Sequence, residues 1–342
     1  MFGTYSQQVV DFDRERSERG DPIENVGGIY VISRNGELAA KLYPGGWLCT
    51  EPVVADDGTL LASVNDEGYG YRDPAPGTRL VALEPDGSIR WKLDKDFVGG
   101  PPAVSTTGTV FVPTETAYSE SATSAIESCL LAADLATGSE LWRHDCADAP
   151  VAALAVGQDG TVYCGTQRTW PDSVGSPGTA GFNPRGANQL GRLKALDRSG
   201  SLKWSTALGG SFWAGLALGP DNEISVLATE WGSPEQANRL FGCTWWLKTY
   251  DNNGQLLWQY KTEYETHLHQ LAKDAAGTTY LGAVWLAGRN PGVIAVSPQG
   301  EERWMYYTGN SRSDNGPITV DDSGALLLAV NNSITKLAAP EP

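Results

Sequence analysis

Leu80–Trp91, LVALEPDGSIRW, reads as a short apolar strand, a turn at Asp86-Gly87, and a second strand ending in tryptophan. The pattern returns as LLAADLATGSELW (Leu130–Trp142), LKALDRSGSLKW (Leu193–Trp204), LKTYDNNGQLLW (Leu247–Trp258) and VIAVSPQGEERW (Val293–Trp304). In all five copies the tryptophan stands four residues after the turn glycine (Gly87, Gly138, Gly200, Gly254, Gly300). A degenerate sixth copy, IYVISRNGELAA (Ile29–Ala40), has Ala40 in the tryptophan position. Internal repetition at this period points to stacked units that bury their faces against one another.

A second hairpin lies between these copies: PVVADDGTLLASV (Pro52–Val64), PAVSTTGTVFVPT (Pro102–Thr114), LAVGQDGTVYCGT (Leu154–Thr166), LALGPDNEISVLAT (Leu216–Thr229), LAKDAAGTTYLGAV (Leu271–Val284) and ITVDDSGALLLAV (Ile318–Val330). Each joins two apolar runs at a Gly or Asn turn, the chemistry of a two-residue hairpin. With strands A and B in this unit and C and D in the tryptophan unit, A-B-C-D recurs five times in full. An orphan C-D pair stands near the N-terminus and an orphan A-B pair near the C-terminus. The expected architecture is all-β: one β-propeller of four-stranded antiparallel blades over residues 28–342, behind an N-terminal extension of residues 1–27. Six blades follow if the N- and C-terminal strands join into one blade and close the ring without exposed edges. SITKLAA (Ser333–Ala339) resembles another C strand, so seven blades, the last incomplete and involving Thr4–Phe12, is the alternative.

Repeats of the form A-x-D-x-x-x-G-x-x-x-W resemble those of the pyrroloquinoline-quinone-binding-like propellers, the quinoprotein dehydrogenase superfamily, over most of the chain. The resemblance implies that Trp91, Trp142, Trp204, Trp258 and Trp304 dock between neighbouring blades. It would also imply a quinone cofactor, but the adjacent cysteine pair of those dehydrogenases is missing here, so no cofactor is expected. Members that act in outer-membrane assembly are lipoproteins, and no lipobox-like cysteine stands near Met1.

The chain has 342 residues and a net charge of −16, which opposes general binding to a nucleic-acid backbone. Glycine and proline are plentiful but fall at regular turns, which argues against disorder. No apolar run reaches membrane-spanning length, and the residues after Met1 contain no signal-peptide core. Cys49, Cys129, Cys146, Cys164 and Cys243 are scattered and odd in number, which leads to an expected cytoplasmic location.

Turns A-B and C-D are short, whereas the B-C connections Asn65–Arg79, Glu115–Cys129, Gln167–Arg192 and Glu230–Trp245 are long. Alternating strand direction puts B-C and D-A connections at one end of every blade. Long loops on a rigid scaffold are where binding and catalysis concentrate. Trp170, Phe182, Trp213, Trp231, Phe241, Trp245 and Trp285 are candidate walls of a small-molecule pocket there, with Asp148, Asp314 and Asn65 as polar contacts. The same aromatics could instead pack the loops onto the scaffold.

Alignment of the A strands on their turn residue shows where one blade departs from the others. Eight positions before the turn stand Thr50, Gly100, Ala152, Ala214, His269 and Gly316, and ten before it stand Leu48, Val98, Pro150, Phe212, His267 and Asp314. The strand period of two puts His267 and His269 on one face. Three readings stay open: histidines hydrogen-bonded to a loop, an acid–base pair with Glu115, Glu230, Asp148 or Asp314 as carboxylate partner, and a metal pair lacking an assignable third ligand. Asp251-Asn252-Asn253-Gly254 lacks the spaced ligands of a calcium loop and is explained as a C-D turn. The expected function is a non-redox enzyme of small-molecule or secondary metabolism (a lyase, cyclase or isomerase) acting on an apolar or aromatic substrate. His267 or His269 would transfer the proton, assisted by Glu230 or Glu115. The alternative is a propeller that binds a protein partner or senses a ligand without catalysis.

Overall fold

The computed structural model describes residues 2–3, 29–32, 37–42, 44, 47–48, 50, 52–65, 78–94, 100–115, 128–146, 151–166, 191–209, 211–231, 243–262, 271–282, 291–307, 315–321, 323–330 and 333–337. All regular elements among them are strands. They fall into two compact units, Met1–Val151 and Ala152–Pro342.

In the first unit, β1 (Phe2–Gly3), β2 (Ile29–Ile32) and β3 (Leu38–Leu42) form one sheet. A second contains β4 (Trp47–Leu48), β5 (Val53–Val54), β6 (Leu60–Asn65), β7 (Thr78–Leu83) and β8 (Ile89–Asp94), with β4 and β5 as two short pieces of one A strand against β6. The third is β9 (Ala103–Val104), β10 (Thr109–Glu115), β11 (Ser128–Asp134) and β12 (Glu140–Asp145).

The second unit holds β13 (Val151–Val156), whose first residue lies at the boundary, with β14 (Val162–Thr166), β15 (Arg192–Leu196) and β16 (Leu202–Ala207). Next come β17 (Ser211–Leu218), β18 (Ile224–Trp231), β19 (Cys243–Tyr250) and β20 (Leu256–Thr262), then β21 (Leu271–Lys273), β22 (Thr279–Gly282), β23 (Pro291–Val296) and β24 (Glu302–Tyr307). The final sheet is β25 (Asn315–Val320), β26 (Leu326–Val330) and β27 (Ser333–Leu337).

Every sheet is an antiparallel A-B-C-D meander or part of one, as the repeat predicts. The described strands sort into seven sheets, the higher of the two expected blade counts. The orphan C-D pair takes its third strand from Phe2–Gly3, which pairs with Tyr30 and Ile29. The orphan A-B pair takes its third from Ser333–Leu337, where Ser333 faces Val330 and Leu337 faces Leu326. Among the described strands each end fragment is therefore completed separately rather than by fusion with the other. The physical reason at the C-terminus is local: only Asn331 and Asn332 separate β26 from β27 in the sequence, so the nearest edge is the adjacent strand.

The hairpins differ from the expected two-residue type. In the first C-D turn Glu84 N–H donates to Ser88 O and Gly87 N–H to Glu84 O. The A-B turn at Ala55–Thr59 repeats this, and each C-D hairpin has a register shift at the same place. Apart from the four-residue loop between Asp134 and Ser139, these are three-residue loops: a type I turn closed by one left-handed residue. Gly87 has φ +88, and Asn222 is the one non-glycine residue with positive φ among the described residues. A two-residue type I′ turn would need two such residues in succession.

Burial runs from the middle of each sheet outward. Strands β14 and β22 are buried throughout, whereas the D strands β12 and β24 carry only exposed and half-buried positions. Both faces of a sheet pack on neighbours: Val226 and Ala228 join Tyr163, Leu193 and Ala195, while Leu227 joins Leu281 and Ile294. Inner strand β21 lies against β17 and β25, so the A strands are innermost in this unit. The outer D edges carry Lys41, Arg90, Arg143, Lys203, Lys261 and Arg303, cations that discourage pairing with another chain.

Three of the five tryptophans, Trp91, Trp204 and Trp258, are seen docked on the neighbouring sheet as the resemblance implied. Trp91 donates from Nε1 to Leu135 O (2.7 Å), and a Cβ on Gly138 of the next sheet would stand 2.8 Å from its ring. Trp204 donates to Asn252 O (2.8 Å) and covers Gly254, and Trp258 covers Gly300 in the same way. Where Ala40 replaces tryptophan, Leu42 fills the equivalent place against Gly87. Behind the rings, Phe111, Tyr163 and Tyr280 stand 5.7–6.0 Å from Trp142, Trp204 and Trp304 of their own sheets.

Candidate functional site

The two ends of each sheet are chemically different. At the A-B and C-D end, turn aspartates accept backbone N–H groups two and four residues on: Asp251 from Asn253 (2.9 Å) and Gln255 (2.8 Å), Asp274 from Ala276 (2.9 Å) and Thr278 (2.8 Å), and Asp321 from Ser323 (2.9 Å) and Ala325 (3.0 Å). Ser105 and Ser297 take the same role in two turns. Part of the acidic composition is therefore turn closure. Among the described residues no group of three or more His, Cys, Asp or Glu is arranged to hold a metal ion.

Three of these turns carry further ties. Arg90 forms a fork with Glu84 (2.6 and 2.8 Å) and reaches Asp57 (3.0 Å). A shallow depression of about 360 Å³ between Asp159, Thr161, Asp197, Arg198, Ser199 and Lys203 is held by Arg198 Nε on Asp159 O (2.8 Å) and Lys203 Nζ on Thr161 Oγ1 (3.0 Å). Lys336 Nζ lies 2.7 Å from Asp321 Oδ2, tying β27 to the A-B turn. That ammonium, with the Ser323 hydroxyl next, holds the Asp321 carboxyl well below its ordinary value. A depressed carboxylate stabilises the fold above its unfolded value, about 4, and loses that contribution as pH falls further. Protection of β27 amides from hydrogen exchange should therefore drop on acidification below about pH 4. Asp321→Asn should remove this pH dependence.

Buried charge lies between sheets. Lys273, on inner strand β21, has a side chain only 1% exposed, and its Nζ lies 2.9 Å from Glu223 Oε1. Glu223 Oε2 accepts the Asp221 N–H (3.0 Å), and the carboxylate lies over Gly219, where any Cβ would collide with it. Desolvation lowers the Lys273 pKa against the opposing pull of Glu223. Tyr280, whose hydroxyl donates to Asp274 Oδ2 (2.8 Å), is pushed up by burial and then by that carboxylate. Lys248 is also buried; it donates to Leu208 O (2.7 Å) with Nζ 5.9 Å from the centre of the Trp246 ring. Lys194 is buried at the corresponding place on β15. Sequence reasoning missed these cations, although blade-to-blade alignment held the signal. Val54, Val104, Val156, Leu218 and Val320 match Lys273; Val81, Leu131 and Ile294 match Lys194 and Lys248.

The other end of the sheets is where the sequence placed the site. Glu230 and Trp231 are the last two residues of β18, opposite Thr244 and Cys243. Thr262, the last residue of β20, pairs with Trp245 near the start of β19. The connection 263–270, which contains His267 and His269, therefore leaves from the end at which 232–242 is attached. Asn65 and Glu115 close β6 and β10 at the corresponding end of their sheets, and Trp213 lies on β17 within an irregular stretch of register. Trp245 is 5% exposed and packs with Leu227, Leu247, Leu281, Ile294 and Val296, so its ring serves the core between two sheets rather than an open wall. His267, His269, Trp170, Phe182, Phe241, Trp285, Asp148 and Asp314 lie outside the described residues. Cys129, Cys146 and Cys164 form no disulfide.

Comparison with solved structures finds the hydrazine synthase of Kuenenia stuttgartiensis at 12% identity and a TM-score of 0.64, over 92% of this chain and 90% of that one. The Cps50 (Swd1) β-propeller domain of Myceliophteria thermophila aligns at 13% identity and 0.59, over 91% and 89%. The Dos1 propeller aligns at 10% and 0.56, over 90% and 70%. At these identities the likeness concerns the fold, which is that of a β-propeller. A search of the curated proteins found no match. The family model described as outer membrane protein assembly factor BamB matches residues 127–339, more than half of the chain. With its tryptophan-docked meanders and this match, the chain belongs to that family, within the PQQ-like β-propellers.

Proposed function

We propose that this propeller is a binding scaffold whose partner, another protein, is held at the end of the sheets carrying the B-C and D-A connections. The observation that carries this reading is the asymmetry within the second unit. Turns at one end are short and closed by their own polar side chains, aspartate most often, while connections 167–191, 232–242 and 283–290 at the other differ in length and composition. The family's description as an assembly factor agrees with partner binding rather than turnover. Site-specific photo-crosslinking in the host from positions within 232–242, with Gln259 on the outer edge of β20 as the control, tests it. Adducts from the connection alone are expected; adducts from neither, or the same adducts from both, would overturn the reading.

A second reading keeps the non-redox small-molecule enzyme of lyase, cyclase or isomerase type at the same end. It is favoured by the attachment of the His267- and His269-containing connection at the same end of the sheet as Glu230. There, one histidine would move a proton and the carboxylate would orient it. At least one of His267→Ala and His269→Ala should abolish conversion of any metabolite retained by protein purified from its host. Unchanged conversion in both would end it.

A further inference from the structure

Asn253 and Gly254 are the one Asn-Gly pair in a turn of the described residues, and the turn is the socket of Trp204. Asn253 is exposed and Gly254 buried. Gly254 has φ +80, and a Cβ there would stand 2.7 Å from Trp204. The turn receives the Trp204 indole N–H on Asn252 O (2.8 Å) and the Thr206 hydroxyl on Gly254 O (2.9 Å). Asn315-Gly316, by contrast, lies in β25 with Asn315 paired to Val330, so its backbone is held extended.

We infer that Asn253 is a self-modification site whose conversion to isoaspartate loosens the joint between the sheets β13–β16 and β17–β20. The Gly254 backbone nitrogen attacks Asn253 Cγ, forming a five-membered succinimide and expelling ammonia. Water then opens the ring to aspartate or isoaspartate. Glycine leaves the attacking nitrogen without a neighbouring Cβ, which makes this the most reactive kind of asparagine pair. The same N–H donates to Asp251 O (3.0 Å), so reaction waits for the turn to open and proceeds slowly.

The repeats separate the consequences of the two products. Asp86-Gly87 occupies the same place in the second sheet, so aspartate is compatible with the turn. Isoaspartate adds a methylene to the main chain between Asp251 and Gly254, where the turn bonds and the Trp204 socket depend on spacing. Ser199-Gly200 and Ser323-Gly324 show that serine also fits.

The full chain would be aged at mildly alkaline pH, its peptides mapped by mass spectrometry, and the converted fraction separated for tryptophan fluorescence and thermal unfolding. Asn253 is expected to convert faster than Asn222 and Asn252, with the isoaspartate form unfolding at lower temperature and its tryptophan emission red-shifted. Asn253→Asp should behave as the unmodified protein, and Asn253→Ser should stop the change on ageing. An intact Asn253 after the other two have converted, or an isoaspartate form with unaltered emission and unfolding, would overturn the inference.

Discussion

Lys273→Ala is expected to lower stability to urea by about 3 kcal/mol, because it strands the Glu223 carboxylate between two sheets. The pair substitutes charge for residues that are uncharged at the matching positions of other sheets: Val54, Val104, Val156 and Leu218 in place of Lys273, and Thr59, Thr109 and Thr161 in place of Glu223. Removing one ion leaves the other without its partner, whereas removing both restores the arrangement used elsewhere. Lys273→Val combined with Glu223→Thr should therefore return to within about 1 kcal/mol of the original protein. The two single variants should each be far worse than the pair. If the double variant is as unstable as Lys273→Ala, the charges act through something other than their mutual compensation.

Trp91→Ala should cost about 3–5 kcal/mol by opening a cavity between the second and third sheets. Trp91→Phe keeps most of the ring but strands the buried Leu135 carbonyl, a loss of about 1–3 kcal/mol. Gly138→Ala probes the socket from the other side. It puts a methyl group 2.8 Å from the indole and forces alanine to φ +72, so it too should destabilise, by about 1–2 kcal/mol or more. Because ring and glycine form one contact, Gly138→Ala in the Trp91→Ala background should cost less than it does alone. Urea unfolding of the four proteins measures this; full additivity would show that the two residues do not share a joint.

Much of the fold was legible because the repeat reports backbone chemistry. The glycine four residues before each tryptophan marks a left-handed turn position, and Gly138, Gly254 and Gly300 are also the floors of neighbouring tryptophan sockets. The A-B-C-D order followed from it, as did the small φ-permissive residue each turn needs. The turn class was misread because a glycine shows that one left-handed position exists, not whether a second precedes it. Ser333–Leu337 was legible as a further C strand, whereas Phe2–Gly3, a strand of two residues, is too short to announce itself by period. The predicted site was legible only as an end of the sheets. Strand direction alternates by rule, so the sequence could assign Glu230, Trp231 and the His267–His269 segment to one end.

What the sequence determined by itself is the unit of structure: four strands, a tryptophan, a glycine, and the end at which the chain is free to vary. These follow from local spacing, which a repeated motif states many times over. What only the tertiary structure decided is the partner of each buried group. Trp245 looks like a loop aromatic in the sequence and is a core residue because Leu227, Leu281 and Ile294 surround it. Lys273 reads as a surface lysine at the end of a strand and is buried against Glu223, 50 residues away in the chain. Such pairings depend on how one sheet packs on the next, and that distance through space has no counterpart in sequence spacing.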